Sequence, residues 1–218
     1  MIESVDDFRK KVSEIDILIT YSERNKKDLE KFRLFNKVSI VLLCSHFEAF
    51  VESFIAEHVD ALRASYHSDT LPQYMKDNYI NDTIRSLNGF SEPSKRTRPL
   101  SALFKLHDSK VFKMTDISDL EIDMKYSYGK HGQQETEKLF KKFGFKSFVE
   151  SSGFQEPFRQ INSAISIRNT IIHEGSAPSL SLLDVKNCKS AFLGIVKALE
   201  EHVINNQLVY YGRTIYNE

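Results

Sequence analysis

Val38 to Tyr66 reads VSIVLLCSHFEAFVESFIAEHVDALRASY. The stretch contains neither glycine nor proline, and its apolar residues are not confined to one stripe. A helix that is apolar on several sides is packed by neighbours on several sides, so this segment is expected to be the central helix of a helical protein. Its second half turns amphipathic. Phe47, Phe50, Val51, Phe54, Ile55, Val59 and Leu62 recur at the three- and four-residue spacing of one wide apolar face.

Upstream, Val5, Phe8, Val12, Ile15, Leu18 and Ile19 repeat with the same period, and Ser4 with Asp7 resembles a capped, acidic first turn. The polar stretch SERNKKDLEK either continues this helix or turns it. Downstream, Pro72 is expected to start a helix, QYMKDNYINDTIRSL, that stops near Asn88-Gly89. SEPSKRTRP, with two prolines, reads as a loop, followed by a short helical piece, LSALFKLH. DSKVFKMTDISDLEIDMKYSYGKHG lacks a clear period and reads as irregular, with room for a short strand. Gln133 to Phe143 is expected to be a helix ended by Gly144. FQEPFRQINSAISIRNTIIHEG carries Phe158, Ile161, Ile165 and Ile172 on one stripe, with Gly175 as a C-terminal stop. A last long helix runs from about Leu182 through VINN, and the tail QLVYYGRTIYNE alternates as an extended segment would.

The sum is an all-α fold. It is an up-and-down helical bundle of two long N-terminal and two long C-terminal helices, with a mid-chain insertion of short helices and loops. One domain is expected over residues 1–218, with the insertion at about 70–145. The chain has 218 residues, 41% of them hydrophobic, which suffices for a sizeable core.

Thirty basic and thirty acidic residues leave a formal net charge of zero, so no broad attraction to nucleic acid or to an anionic membrane is expected. Any RNA contact must come from a local cluster. Cys44 and Cys188 form no CxxC pair and read as small buried hydrophobes. The seven histidines include no HExxH spacing, so no metal is expected. The opening MIESVDDFRKK lacks a signal-peptide apolar region, and no apolar run is expected to be long enough to span a bilayer. The expectation is a cytoplasmic protein without membrane, DNA or cofactor partners.

Against this background RNTIIH stands out, at the end of an otherwise apolar helix. Asn169 and His173 lie four apart and share a face. Arg168 and His173 diverge by about 140° at 100° per residue, so they meet only where the helix end opens on a cleft. Two readings are open. Arg168 pairs with Glu48 or Glu174 inside the bundle and His173 caps the helix C-terminus. Alternatively, an arginine fork and an imidazole act together on a phosphodiester.

RNTIIHEG resembles the RxxxxH signature of the HEPN superfamily, with a polar residue directly after the arginine. LLCSHFEAFVESFI and YGKHGQQETEKLFKKFGF resemble one branch of it, the RiboL-PSP-type HEPN proteins, and together these stretches cover about half the chain. The superfamily consists of helical bundles, many of them RNases in toxin–antitoxin, abortive-infection and other defence systems. The resemblance implies metal-independent RNA cleavage at a homodimer cleft, with an antitoxin or defence-system partner. His173 would transfer protons, Arg168 would stabilise charge and Asn169 would position. The alternative is a HEPN-like module that binds RNA or a protein without cleaving.

Several further residues are candidates. Glu48, among aromatics, needs a partner if buried, and Arg168 is the expected one; Glu174 would support the site. Lys95, Arg96 and Arg98 form the densest basic cluster, able to guide RNA or simply to be solvated. Lys130 and His131 could touch phosphate or form a plain turn, and Tyr126 and Tyr128 could stack on bases or pack. His46 is expected to be structural.

Overall fold

The computed structural model describes residues 2–126, 132–174 and 180–205. The helices are α1 (Glu3–Arg24), α2 (Leu29–Ser65), α3 (Gln73–Gly89), α4 (Pro93–His107), α5 (Gln133–Lys142), α6 (Lys146–Val149), α7 (Ser152–Glu174) and α8 (Leu182–Asn205), with a 3-10 turn at Met114–Asp116. The described residues contain no strand, only an isolated bridge between His67 and Lys113.

α2 is the axis, as its composition requires. It packs against α1, α7 and α8. Phe47 shows why: its ring lies 6.3 Å from Phe8 on α1, 5.9 Å from Phe158 on α7 and 5.1 Å from Phe192 on α8. Further along, Phe54 touches Phe140 and Phe145, which brings the middle of the chain into the same core. The central position also corrects one sequence expectation. An eighteen-residue window of α2 has mean hydropathy 1.6, so by length and composition this helix could cross a membrane. A bundle axis and a membrane span demand similar composition, and half of that window is buried among the other helices.

α1 and α8 run antiparallel, laced by Arg9–Glu200, Asp16–Lys189 and Glu23–Lys186. The polar SERNKKDLEK stretch turns rather than continues the helix, with Asp28 capping α2 by accepting from the Lys31 N–H. Ser4 is not the cap of α1. Instead, the Glu57 carboxylate of α2 accepts from the N–H groups of Glu3 and Ser4 and from the Ser4 hydroxyl, where a helix N-terminus favours an anion. At the other end of α1 the Ser22 hydroxyl donates to buried Asn36, whose amide donates to the Leu180 carbonyl. One side chain thus joins α1, α2 and the entrance to α8.

The middle departs from the sequence reading at SEPSKRTRP, which is helix α4 rather than a loop. Pro93 occupies the first turn, where its missing N–H costs nothing, and Pro99 is buried inside the helix. Arg96 donates twice to the Phe90 carbonyl that ends α3, so a basic side chain stabilises the preceding helix terminus. The irregular stretch beyond α4 is held by side chains. Thr83 brackets Glu121, and buried Asp82 accepts from the Asp123 N–H and from Lys142 at 2.6 Å. Gly144, at φ +90, ends the α5 region under Tyr74.

Candidate active site

The apolar stripe of α7 stops before the helix does. Phe154, Phe158, Ile161, Ala164 and Ile165 are buried; no residue of α7 beyond Ile165 is. The last turns project past the core, and that is where Arg168, Asn169 and His173 sit. Polar residues are tolerated there because little apolar surface faces them.

Arg168 is held from behind. Its Nη2 donates to Glu48 Oε2 at 3.4 Å, with 16% and 18% of the two side chains exposed, and its Nη1 donates to Asn169 Oδ1 at 3.2 Å. The ion pair expected between Glu48 and Arg168 is therefore present. The Arg168 Nε is buried and has no hydrogen-bond partner among the described residues. The guanidinium thus keeps donor capacity after its contacts with Glu48 and Asn169 are made.

Arg168, Asn169, Ile172 and exposed His173 all line one open cleft of about 1030 Å³. The opposite wall is the first turns of α5, with Gln133, Gln134, Glu135 and Glu137, and Asn162 of α7 lies at its floor. The roughly 140° divergence between Arg168 and His173 does not separate them, since both reach the same concavity at the helix end. Glu48 stands behind Arg168 and Glu174 ends α7 exposed; neither lines the cleft among the described residues.

An amide network that sequence reasoning missed fixes the two walls. The Gln133 N–H donates to Asn162 Oδ1 at 3.1 Å, and the Asn162 amide donates back to Gln133 Oε1 at 2.8 Å. The Gln133 amide also donates to Glu137 and Gln155. Asn162 and Gln133 are 29 residues apart, so no local spacing could announce them. The one local hint was paired glutamines directly after a glycine; Gly132 sits at φ +132, a conformation natural to glycine.

Other candidates fall elsewhere. Lys95 pairs with Glu92, and Lys95 and Arg98 line a separate groove together with Glu92, Asp119 and Glu121. The structure does not bring the basic cluster to the Arg168 cleft. Tyr126 is half-buried and spoken for: its hydroxyl meets Thr136 at 2.8 Å and its N–H donates to Glu52, while burial drives its phenol far above the usual range. Lys130, His131, Tyr128 and Gly175 lie outside the described residues.

Neither thiol suits nucleophilic chemistry. Burial first, and the neighbouring Glu48 second, push Cys44 up to about 12, and burial pushes Cys188 up to about 11. Burial lowers His46, which is part-buried on a groove away from the cleft. No cluster of three or more histidine, cysteine or carboxylate side chains able to hold a metal occurs among the described residues.

The RiboL-PSP-HEPN family model matches residues 6–205. No curated protein matches the chain, and no solved structure does.

Proposed function

Because this chain belongs to the RiboL-PSP-HEPN family, whose HEPN domains commonly have RNase activity, we propose that it is a metal-independent endoribonuclease. One observation carries the reading: Arg168, Asn169 and His173 open together on a cleft at the unburied end of α7.

The reaction uses the nucleophile that RNA already carries. A base takes the proton of the 2′-hydroxyl, and the 2′-oxygen forms a bond to phosphorus. The bond from phosphorus to the 5′-oxygen breaks with its electron pair, and that oxygen is protonated as it leaves. The products are a 2′,3′-cyclic phosphate and a 5′-hydroxyl. His173, exposed at the cleft, is the proton-transfer group. Arg168 offers a charged fork to the phosphorane oxygens, and its pairing with Glu48 limits how far the guanidinium wanders. Asn169, hydrogen-bonded to Arg168, positions it.

One histidine cannot be base and acid in the same instant. A homodimer with two α7 ends facing each other supplies the second imidazole. A cytoplasmic toxin or defence effector restrained by an antitoxin-type partner is the biological setting we propose.

The test is incubation of purified protein with total RNA in EDTA, followed by end-group analysis. Wild type is expected to leave cyclic phosphates; Arg168→Ala and His173→Ala are expected to lose about 10²–10⁴ of the rate. A second reading, an RNA- or protein-binding module without catalysis, draws on the depth at which Arg168 is paired to Glu48. It gains if all three samples leave RNA intact while wild type still binds it.

A further inference from the structure

We propose that the outer face of α4 is a docking surface for an acidic segment of another protein, one that carries apolar side chains beside its carboxylates. The surface is separate from the Arg168 cleft, whose lining includes no residue of α4, and its role does not depend on RNA cleavage.

α4 is apolar on two sides. Pro99, Ala102 and Leu106 are buried on the inner side. Leu100 and Phe104, four apart and so on one face, lie on the opposite side with 41% and 76% of their surface exposed. Phe104 is the most exposed large hydrophobic among the described residues. A helix that is apolar on two sides is suited to packing on two sides. Among the described residues only the inner side of α4 is covered. An apolar ridge left in water beside charged groups marks an interaction surface.

Charge says what covers it. Pro93–His107 holds Lys95, Arg96, Arg98 and Lys105 and no carboxylate at all, in a chain whose charges otherwise cancel. Lys95 is occupied by Glu92 and Arg96 by the Phe90 carbonyl. Lys105, next to Phe104, is different. Its ammonium lies 6.0 Å from the centre of the Phe112 ring, and that of Lys110 lies 5.4 Å from the same ring. Neither lysine has an ion pair among the described residues, and the remaining sequence holds a single carboxylate side chain, Glu218. Asp108, between them in sequence, accepts from the Ser109 hydroxyl and the Lys110 N–H. Two ammonium groups thus share one ring without a carboxylate to separate them. They repel each other, and a partner's carboxylate set beside the ring relieves that repulsion and attracts both.

Other occupants satisfy only part of this surface. A second copy of the same face would set lysines against lysines. RNA answers the lysines and can stack on Phe104, but it has no use for aliphatic Leu100. A bilayer gains little from two large side chains on one short helix. An aromatic and a leucine rimmed by cations is the ordinary anatomy of a protein interface, an apolar centre within a polar border.

The experiment pans a random peptide display library on the full chain, with counter-selection on Phe104→Ser. Selected peptides are then made with a fluorescein label and titrated by fluorescence anisotropy. They are expected to be rich in Asp and Glu with Leu or Phe anchors. Their affinity should fall at least about tenfold in Phe104→Ser and in Lys105→Glu/Lys110→Glu, and should weaken as salt is raised. Melting temperatures of both variants should match wild type, because the altered side chains support no core. Enrichment of no peptide, enrichment of neutral or basic peptides, or equal binding to Phe104→Ser overturns the inference. So does Phe104-dependent binding to a uridine oligomer or to phosphatidylserine vesicles in place of the acidic peptides. A change of oligomeric state in Phe104→Ser, read by sedimentation, assigns the face to a second copy and overturns it too.

Discussion

Arg168 is the residue at which stability and chemistry compete. Its guanidinium sits largely buried against Glu48, and removing one partner of such a pair strands the other. Glu48→Ala is therefore expected to lower unfolding free energy by about 1–2 kcal/mol, discounted for the remaining solvent contact. Urea titration measures it, and RNA cleavage should fall in parallel because the fork is no longer held. Arg168→Lys keeps the charge and loses the fork, so it should retain stability better than activity.

His58 makes a separate prediction. Its ring is buried against Phe145 at 4.8 Å, and burial, offset in part by the Phe143 backbone, lowers it from 6.5 to about 4. Between those values the unfolded chain holds the proton and the folded chain does not, so stability rises with pH across that window. Acidifying from pH 7 to pH 5 should cost about 2 kcal/mol through this group. His58→Leu should remove that share of the acid sensitivity, read as urea midpoints at the two pH values.

Arg168, Asn169 and His173 were legible because they interrupt an apolar helix. Gln134 and Asn162 were not, because their meaning comes from two helices that meet only in the fold.

At the scale of the element, hydrophobic period located α1, α2, α5, α7 and α8, since each turns an apolar stripe to the core, while Pro72 and Asn88-Gly89 bounded α3. It failed at α4. There Pro93 and Pro99 read as breakers, yet one stands in the first turn and the other is buried against the core. The four-residue α6 (Lys146–Val149) is too short to show any period. The stop after α5 was readable from Gly144, and its physics is sharper than the motif implied. A side chain there would meet φ +90 and would place its Cβ 2.8 Å from the Tyr74 ring. Gly144→Ala is expected to cost at least about 2 kcal/mol, measurable as a lowered melting temperature, whereas Gly89→Ala, with open space around it, should be nearly neutral or stabilising.

For the molecule as a whole, α2 decides both the fold and the place of the site. Phe47 touches three other helices, so Phe47→Ala is expected to cost about 3–5 kcal/mol and to loosen α1, α7 and α8 together in a single thermal transition. The all-round apolar composition of α2 announced its central role. The same composition could not distinguish a bundle axis from a membrane span, because both surround a helix with hydrocarbon.

The buried stripe of α7 ends about two and a half turns before the helix does, with Ile165 the last buried residue. Beyond Arg168, which is tied to Glu48, the last turn of α7 through exposed Ile172 and His173 contributes little to holding the protein together, and most substitutions there are nearly free of folding cost. Single changes at His173 are therefore expected to alter what this end of the helix presents and still leave a folded chain.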